Sequence, residues 1–562
     1  MTGETPPTDA DAVTTRDLVD DVPIAWETLS ADEGVRGELP AVEMPAVERP
    51  TGRSTAIFAM WTGLSRVAGL AREILAAAIF GTQGNINAFV IAFNVPNIVR
   101  SLVADSALSA ALIPVYTQLI EDGRKREADR VVGAVIGLVV MVLGAITLLA
   151  IVLAPIFMPW FALGLSPELK AETVRLSQVM FPIIPLLALT GIMAAVLQAN
   201  GEFGVTGFVP VLWNVVIIVC LGIADVALPA SERVMGYAVG IVLGTLAQLL
   251  WLLPYMRGKG PFKFSLGRGV PEVRRVFVMM LPVSLGLGLI NINASVDNVF
   301  AGLVSTDAVS SIDKAFRLYV LPQGVFSVAI STVLFPAISR MAARKDLAGV
   351  REMVTRGLRQ IFFMLVPASI FLMVLAEPAT RLIYQRGAFN DASTHLTSQA
   401  LFTFSLGLAF NGASLLVIRT FFSLQEPWIA TKVALLGLGL NAVGDLAFYK
   451  PFGAPGIPLS TSLVSVVTFT VLTVLLQRRI GGLPRRALTR GFAQCLFAGV
   501  VMGGFTWAVW HVVNAVAGNS LIGQLVSMAA ATVAAGLAFL AGARAVDIPE
   551  LSQLTRLVRA LR

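Results

Sequence analysis

Beyond Arg53 the chain alternates long apolar runs with short polar loops almost to its end. A helix needs about twenty apolar residues to cross a hydrocarbon core about 30 Å thick. Fourteen runs meet that length, near 54–80, 86–118, 131–158, 172–198, 205–225, 234–255, 272–303, 308–339, 355–376, 395–422, 428–449, 455–477, 488–513 and 520–543. The pattern predicts an all-α integral membrane protein with 14 transmembrane helices. Spans 1 and 2, within Trp61 to Gln118, form a hairpin that turns at Gly81-Thr82-Gln83-Gly84-Asn85. Before them, residues 1–52 are rich in Asp, Glu, Pro and Thr without periodicity, which predicts a disordered tail.

The pattern repeats. Span 2 contains Ala92-Phe93 and ends Ser109-Ala110-Ala111-Leu112-Ile113-Pro114; span 8 contains Ala315-Phe316 and ends Ser331-Thr332-Val333-Leu334-Phe335-Pro336. An offset of six spans preserves topology, so it predicts two six-helix lobes, 53–256 and 257–480, related by an axis along the membrane normal. Spans 13 and 14, within 481–545, fall outside the repeat, and 546–562 reads as a basic amphipathic tail with Arg556, Arg559 and Arg562.

Charge adds orientation. The loops after spans 2, 6, 8 and 12 hold the basic clusters Arg124-Lys125-Arg126, Arg257 to Arg275, Arg340 to Arg359, and Arg478 to Arg490. Those after spans 1, 7 and 13 hold almost none. Basic loops stay on the cytoplasmic side, which predicts that both termini are cytoplasmic. The net charge of +7 is therefore topogenic and not a nucleic-acid footprint. With 56% hydrophobic and 14% charged residues, the composition excludes a soluble globular protein. Cys220 and Cys495 sit in apolar runs and read as small buried side chains, and His395 and His511 are too few for a histidine metal site.

A charge retained at mid-bilayer is costly unless it faces a wet or paired interior. Such residues fall on span 1 (Arg66, Arg72, Glu73), span 2 (Arg100, Asp105), span 7 (Asp297), span 8 (Asp313, Lys314, Arg317), span 10 (Arg419) and span 11 (Asp445). The first pair of spans in each lobe supplies most of them, which predicts a cationic cleft between the lobes. Arginine's planar fork suits phosphate or pyrophosphate. Arg66, Arg100 and Arg317, each flanked by apolar sequence, are the foremost candidates. Bland readings stand beside them: Arg72-Glu73 snorkelling to the interface, Asp105 only neutralising Arg100, Asp313 and Lys314 interfacial, and Arg419 topogenic. A second constellation joins Asn441 and Asp445, on one helix face at i,i+4, with Thr461 beyond the break Gly453-Ala454-Pro455-Gly456-Ile457-Pro458. Its hard oxygens suit a small cation, and a polar packing cluster is the alternative.

Several of these stretches resemble one family. They are Ser65-Arg66-Val67-Ala68-Gly69-Leu70-Ala71-Arg72-Glu73, Pro96-Asn97-Ile98-Val99-Arg100 and Ala104-Asp105-Ser106-Ala107-Leu108. Asn200-Gly201-Glu202-Phe203, Pro210-Val211-Leu212-Trp213-Asn214, Phe316-Arg317-Leu318 with Pro322-Gln323-Gly324-Val325, and Tyr384-Gln385-Arg386-Gly387-Ala388-Phe389 continue it, as does Phe421 to Pro427. Together they resemble the MurJ/MviN lipid II flippases of the multidrug/oligosaccharidyl-lipid/polysaccharide exporter superfamily. The resemblance is good over spans 1 to 12 and weak over 13 and 14.

It implies a transporter, not an enzyme, that carries lipid II, an undecaprenyl-pyrophosphate-linked peptidoglycan precursor, from inner to outer leaflet by alternating access. The implied substrate residues are Arg66, Arg72, Arg100, Asp105 and Arg317. The implied sodium site is Asp297, Asn441, Asp445, Thr461 and a backbone carbonyl near Ile457. Spans 13 and 14 would form a groove for the polyprenyl tail, and the peptidoglycan synthesis machinery would be a partner. Asn87 stands where members often carry Asp, and Asp105 where they often carry Glu. A cation gradient or the membrane potential would drive transport, since no P-loop signature appears. Rival readings are a flippase for another polyprenyl-linked glycan, a drug/cation antiporter, a membrane glycosyltransferase and a non-transporting scaffold. The arginine excess speaks against an antiporter for cations, the short outer loops against a transferase, and the buried arginines against a scaffold.

Overall fold

A computed structural model describes residues 52–103, 106–257, 259, 265, 271–518 and 520–551. The acidic tail before residue 52, Asp105 and the basic residues 552–562 lie outside the described residues, as does the side chain of Arg100.

Among the described residues every regular element is helical. In chain order they are α1 (Gly52–Phe80), α2 (Asn85–Val103), α3 (Ser106–Glu121), α4 (Lys125–Phe161), α5 (Pro167–Met180), α6 (Ile183–Ala199), α7 (Phe203–Ala227), α8 (Arg233–Leu252) and α9 (Pro271–Val304). Then follow α10 (Thr306–Pro322), a π-helical turn Gln323–Ser327, α11 (Val328–Ala343), α12 (Leu347–Val374), α13 (Ala376–Tyr384), α14 (Asp391–Ser423), α15 (Pro427–Phe452), α16 (Gly456–Arg479), α17 (Arg485–Ala517) and α18 (Leu521–Ala545). Eleven helical runs among the described residues are long and apolar enough to cross a membrane. The runs expected at 54–80, 86–118 and 272–303 are helical too, as α1, α2 with α3, and α9, but lie outside that set.

Local chemistry sets the boundaries. Ser166, Asp346, Asn390 and Ser520 each accept a backbone N–H from three residues on, capping α5, α12, α14 and α18. The turn after α1 uses Gly81 and Gly84, both at positive φ (62° and 69°), where a Cβ would be strained.

Packing in lipid depends on close backbone approach more than on hydrophobic contrast. On α8, Gly236, Gly240 and Gly244 form a smooth seam against α7. A Cβ at each would come within 2.7 Å of the Ala224 Cβ, 2.7 Å of the Cys220 Cβ and 3.0 Å of the Trp213 ring. Cys220 and Cys495 are free thiols, as the sequence predicts. On the outside, Leu148, Val152 and Ile156 of α4 and Val512 and Val516 of α17 stand exposed by two-thirds or more. A surface like that is stable in a bilayer and not in water.

The contacts define what surrounds the site. α1 packs on α7 and α7 on α8; α2 packs on α5 and α3 on α6. Further along, α14 packs on α10, α12 and α16, while α15 packs on α9 and α16. The early and late helices meet where α9 lies against α2 and α3, α10 against α2, and α13 against α1. Finally α17 packs on α18 and on α12.

Candidate substrate cavity and cation site

Arg72 and Glu73 are buried on α1, at 8% and 5% exposure, so neither snorkels. Glu73 is the hub of an ion cluster. Its carboxylate accepts Arg72 Nη2 at 2.6 Å, Lys314 Nζ at 3.1 Å and Arg317 Nη1 at 3.0 Å. Arg317 also holds Asp313, Nε to Oδ2 at 2.9 Å and Nη2 to Oδ1 at 3.4 Å. Three cations thus share two carboxylates, which leaves one net positive charge in a water-poor site.

The expectation that Lys314 is interfacial is corrected: it is 4% exposed. It lies near the start of α10 by sequence, but α10 packs on α2 and α14, and Lys314 reaches Glu73 of α1. Asp313 is half-buried and spent on Arg317.

Two cations of this region keep access to their surroundings. Arg317 keeps about a third of its side chain accessible (36%). Arg66, six residues before Arg72 and therefore about 9 Å along α1, is exposed, with no carboxylate partner among the described residues. Its guanidinium reaches toward the π-helical turn, 3.8 Å from where a Cβ on Gly324 would stand. Such turns within helices are frequent at functional sites. The Arg72 guanidinium lies 4.7 Å over the Trp213 ring, and its Nε is buried with no partner. Stacking on an aromatic face is a role that lysine fills poorly. Arg66, Arg72 and Arg317 therefore gather in one region, while Arg100 rides α2 with its side chain undescribed. Arg419 donates to Thr332 Oγ1 at 2.8 Å, on α11.

Of the second constellation, Asp297, Asn441 and Asp445 come together, whereas Thr461 and Ile457 are joined to each other within α16 and, among the described residues, to none of those three. Asn441 Nδ2 donates to Asp297 Oδ1 at 2.5 Å and to Asp445 Oδ2 at 3.2 Å, bridging α9 and α15. Asn293 Nδ2 reaches Asp297 Oδ2 at 3.4 Å. Ser460 Oγ donates to the Asn441 carbonyl at 3.1 Å, and Thr461 Oγ1 to the Ile457 carbonyl at 3.5 Å. Asn441 and Asp445 are essentially inaccessible, at 1% and 0%. Asp445 Oδ1 is buried without any donor, and neither carboxylate has a cationic partner among the described residues. Two carboxylates held in a low-dielectric interior require a proton or a metal cation between them. The two carboxylates are hard oxygen donors that suit a small cation, with Asn441 turning its Nδ2, not its oxygen, toward both. Ser460 was not foreseen. It is admitted by Gly444, where a Cβ would fall 2.3 Å from the Ser460 Oγ. One hydroxyl in the run Ser460-Thr461-Ser462 carries no signal of its own.

At one end of the bundle the turn between α1 and α2 is tied to later elements. Ala388 N donates to the Ala78 carbonyl at 2.8 Å, tying the loop after α13 to the end of α1. Thr82 Oγ1 and Ser393 Oγ are 2.7 Å apart. Asn87, fully buried, donates to the carbonyls of Thr82 (2.8 Å) and Gly84 (3.2 Å) and accepts Ser310 N at 2.9 Å. Carbonyls need a donor, so the amide serves here where an ionised carboxylate could not.

Residues 76–526 match the family model described as lipid II flippase MurJ. The chain is 28% identical over 430 residues to a probable lipid II flippase MurJ of Vibrio cholerae, covering 75% of this chain and 82% of that protein. It is 27% identical over 468 residues to the lipid II flippase MurJ of Burkholderia cenocepacia, covering 81% and 89%. Among solved structures it resembles a lipid II flippase MurJ in an inward closed conformation, with TM-score 0.72, 21% identity, and 87% and 99% coverage. An inward-facing multidrug resistance MATE transporter of the MOP superfamily shares the fold at TM-score 0.62 and 15% identity, with 77% and 99% coverage.

Proposed function

The chain belongs to the lipid II flippase MurJ family, and from that premise we propose that it translocates lipid II across the bacterial inner membrane by alternating access. The observation that carries this reading is the Glu73 cluster, in which Arg72 of α1 and Arg317 of α10 meet beside the free Arg66. A pyrophosphate offers several anionic oxygens at once. Arg66 and the open part of Arg317 would take it first, and the net positive charge of the cluster would hold it. Arg72 and Lys314 position Arg317 by fixing the carboxylate it leans on. Arg100 and Asp105 belong to the same site on this reading. Membership of the MurJ flippase family makes the chain a transporter and not an enzyme.

On the same reading the first twelve of fourteen spans form two six-helix lobes, and both termini and the basic loops are cytoplasmic. The end closed by Ala78, Thr82, Asn87 and Ala388 is then the outer one, and the cavity takes its lipid from the inner leaflet. The prenyl chain would stay in lipid along α17 and α18. Peptidoglycan synthases are the partners expected to consume the product.

Asp297, Asn441, Asp445, Thr461 and the Ile457 carbonyl would hold a sodium ion, with Ser460 orienting Asn441. Bound there, the cation supplies the positive charge that lets both carboxylates stay ionised. The purified chain is expected to gain several degrees of thermal stability with sodium over choline, since a ligand at a hundred times its Kd adds about 2.7 kcal/mol. Asp445→Asn is expected to erase that gain. A sodium-dependent shift that survives in Asp445→Asn places the ion elsewhere.

The function itself is tested by expressing the chain in a flippase-depleted bacterium and quantifying outer-leaflet lipid II with a membrane-impermeant probe. Restored exposure supports lipid II. Correct insertion without exposure, together with rescue of a different polyprenyl-linked glycan, would transfer the reading to that glycan.

A further inference from the structure

A separate cavity of about 630 Å³ opens at the end of the bundle that bears the basic loops, away from the central cluster. It lies within the range typical of small-molecule sites, about 300–1,000 Å³. Its walls are the first turns of α12, the Gly481–Pro484 loop between α16 and α17, and Pro549 and Glu550 beyond α18. Three arginines line it: Arg351, Arg356 and Arg359.

Their pairings differ in a way that matters. Arg359 is fully engaged, Nε and Nη2 lying 2.7 and 3.2 Å from the two oxygens of Glu550, which is only 9% exposed. That pair reads as the structural floor. Arg356 leans on Glu352 at 3.0 Å, but the Glu352 side chain is 75% exposed, and exposed pairs of this kind contribute at most about 1 kcal/mol. Arg351 has no carboxylate partner among the described residues, only the Gly481 carbonyl at 3.4 Å. The loop opposite is bare backbone. Gly481 and Gly482 sit at φ 76° and 97°, and a Cβ on either would meet nothing within 4 Å. Arg478, Arg485 and Arg486 flank that loop in sequence, while Arg479 is paired with Glu426 at 2.9 Å. The cavity therefore holds a loosely partnered arginine, a second one releasable at little cost, and room for a ligand in front of both.

From this we infer that the cleft binds a phosphate-bearing anion, Arg351 and Arg356 forming the fork that grips it. Guanidinium pairs with phosphate bidentately, and basic pockets at the cytoplasmic ends of membrane helices suit lipid headgroups. α17 begins at the cleft, and its Leu496, Phe497 and Val500 stand 42–60% exposed farther along, a path for acyl chains. The phosphate of an anionic phospholipid and free inorganic phosphate share this chemistry. The cleft shares no residue with the Glu73 cluster, although its acyl path runs on α17, which the proposed prenyl groove also uses.

Native mass spectrometry of the full-length chain tests the inference, with phosphatidylglycerol and phosphatidylcholine titrated in parallel. Arg351→Ala combined with Arg356→Gln is expected to weaken the tightest phosphatidylglycerol binding about tenfold, or about 1.4 kcal/mol, and to leave phosphatidylcholine unchanged. Arg351→Glu alone should do at least as much, which guards against a fold defect in the double variant. Inorganic phosphate is the competing arm. If it displaces the lipid, free phosphate is the source; if it does not, the headgroup is. Equal retention of phosphatidylglycerol by parent and variants, or no preference over phosphatidylcholine, overturns the inference.

Discussion

Glu73→Ala is expected to abolish lipid II exposure and to lower the stability of the chain by several kcal/mol. The carboxylate accepts three cations, and one of them, Lys314, is 4% exposed. Removing one partner of a buried ion pair costs about 3–5 kcal/mol, because the surviving charge keeps its desolvation penalty. Glu73→Gln keeps the volume but not the charge and should fall nearly as far. Function and folding can then be separated. Glu73→Gln with Lys314→Met removes both charges and should recover most of the unfolding midpoint. It should not recover transport, because Arg317 has still lost the anionic acceptor at 3.0 Å that aims it, a neutral amide oxygen being all that remains. The two readouts are the thermal midpoint of purified protein and outer-leaflet lipid II. Full transport by the double variant would show that Glu73 serves stability alone.

Gly387→Asn is expected to loosen the closed end and raise access to the cavity from that side. Gly387 has φ 57°, a conformation asparagine tolerates, so backbone strain is nearly removed from the comparison. What remains is steric. A Cβ would fall 2.3 Å from the Ala78 carbonyl oxygen, the acceptor of the Ala388 N–H. Gly81 answers it with a Cβ position 2.5 Å from the Ala388 oxygen, so the two strands of chain approach through paired glycines. If the clash costs about 3 kcal/mol, the closed-to-open ratio shifts more than a hundredfold. Gly84→Asn is the control, with φ 69° and nothing within 4 Å. Labelling of a cavity cysteine by an impermeant reagent should rise in Gly387→Asn and stay flat in Gly84→Asn. Equal labelling in both would remove this contact from the gate.

What the sequence made legible follows from the reach of each signal. Apolar runs and basic loops act within about twenty residues, so the helices and the hairpin turn at Gly81 to Asn85 could be read directly. Arg66, Arg72 and Arg317 could be singled out because a charge inside an apolar run is costly wherever it goes. Their shared acceptor could not. Glu73 and Lys314 are 241 positions apart, and Lys314 looked interfacial because only the fold covers that end of α10. Asn441 and Asp445 were visible as an i,i+4 pair, whereas Ser460 enters through the close approach allowed by Gly444. The Arg351 cleft was hidden for another reason: its arginines sit at the start of α12, in a basic stretch where topogenic charge is expected anyway.

The closed end has a consequence beyond its geometry. The contacts that hold it, Ala388 to Ala78, Thr82 to Ser393 and Asn87 to its three backbone partners, join uncharged groups only. Mobile ions weaken attractions between charges and leave neutral hydrogen bonds almost untouched. A bacterium has little control over the salinity of the medium outside its membrane. With that end outward, as proposed above, a seal of this composition would hold equally well in fresh and in brackish surroundings, while the charged grip on the cargo stays within, where the cell itself sets the ionic strength.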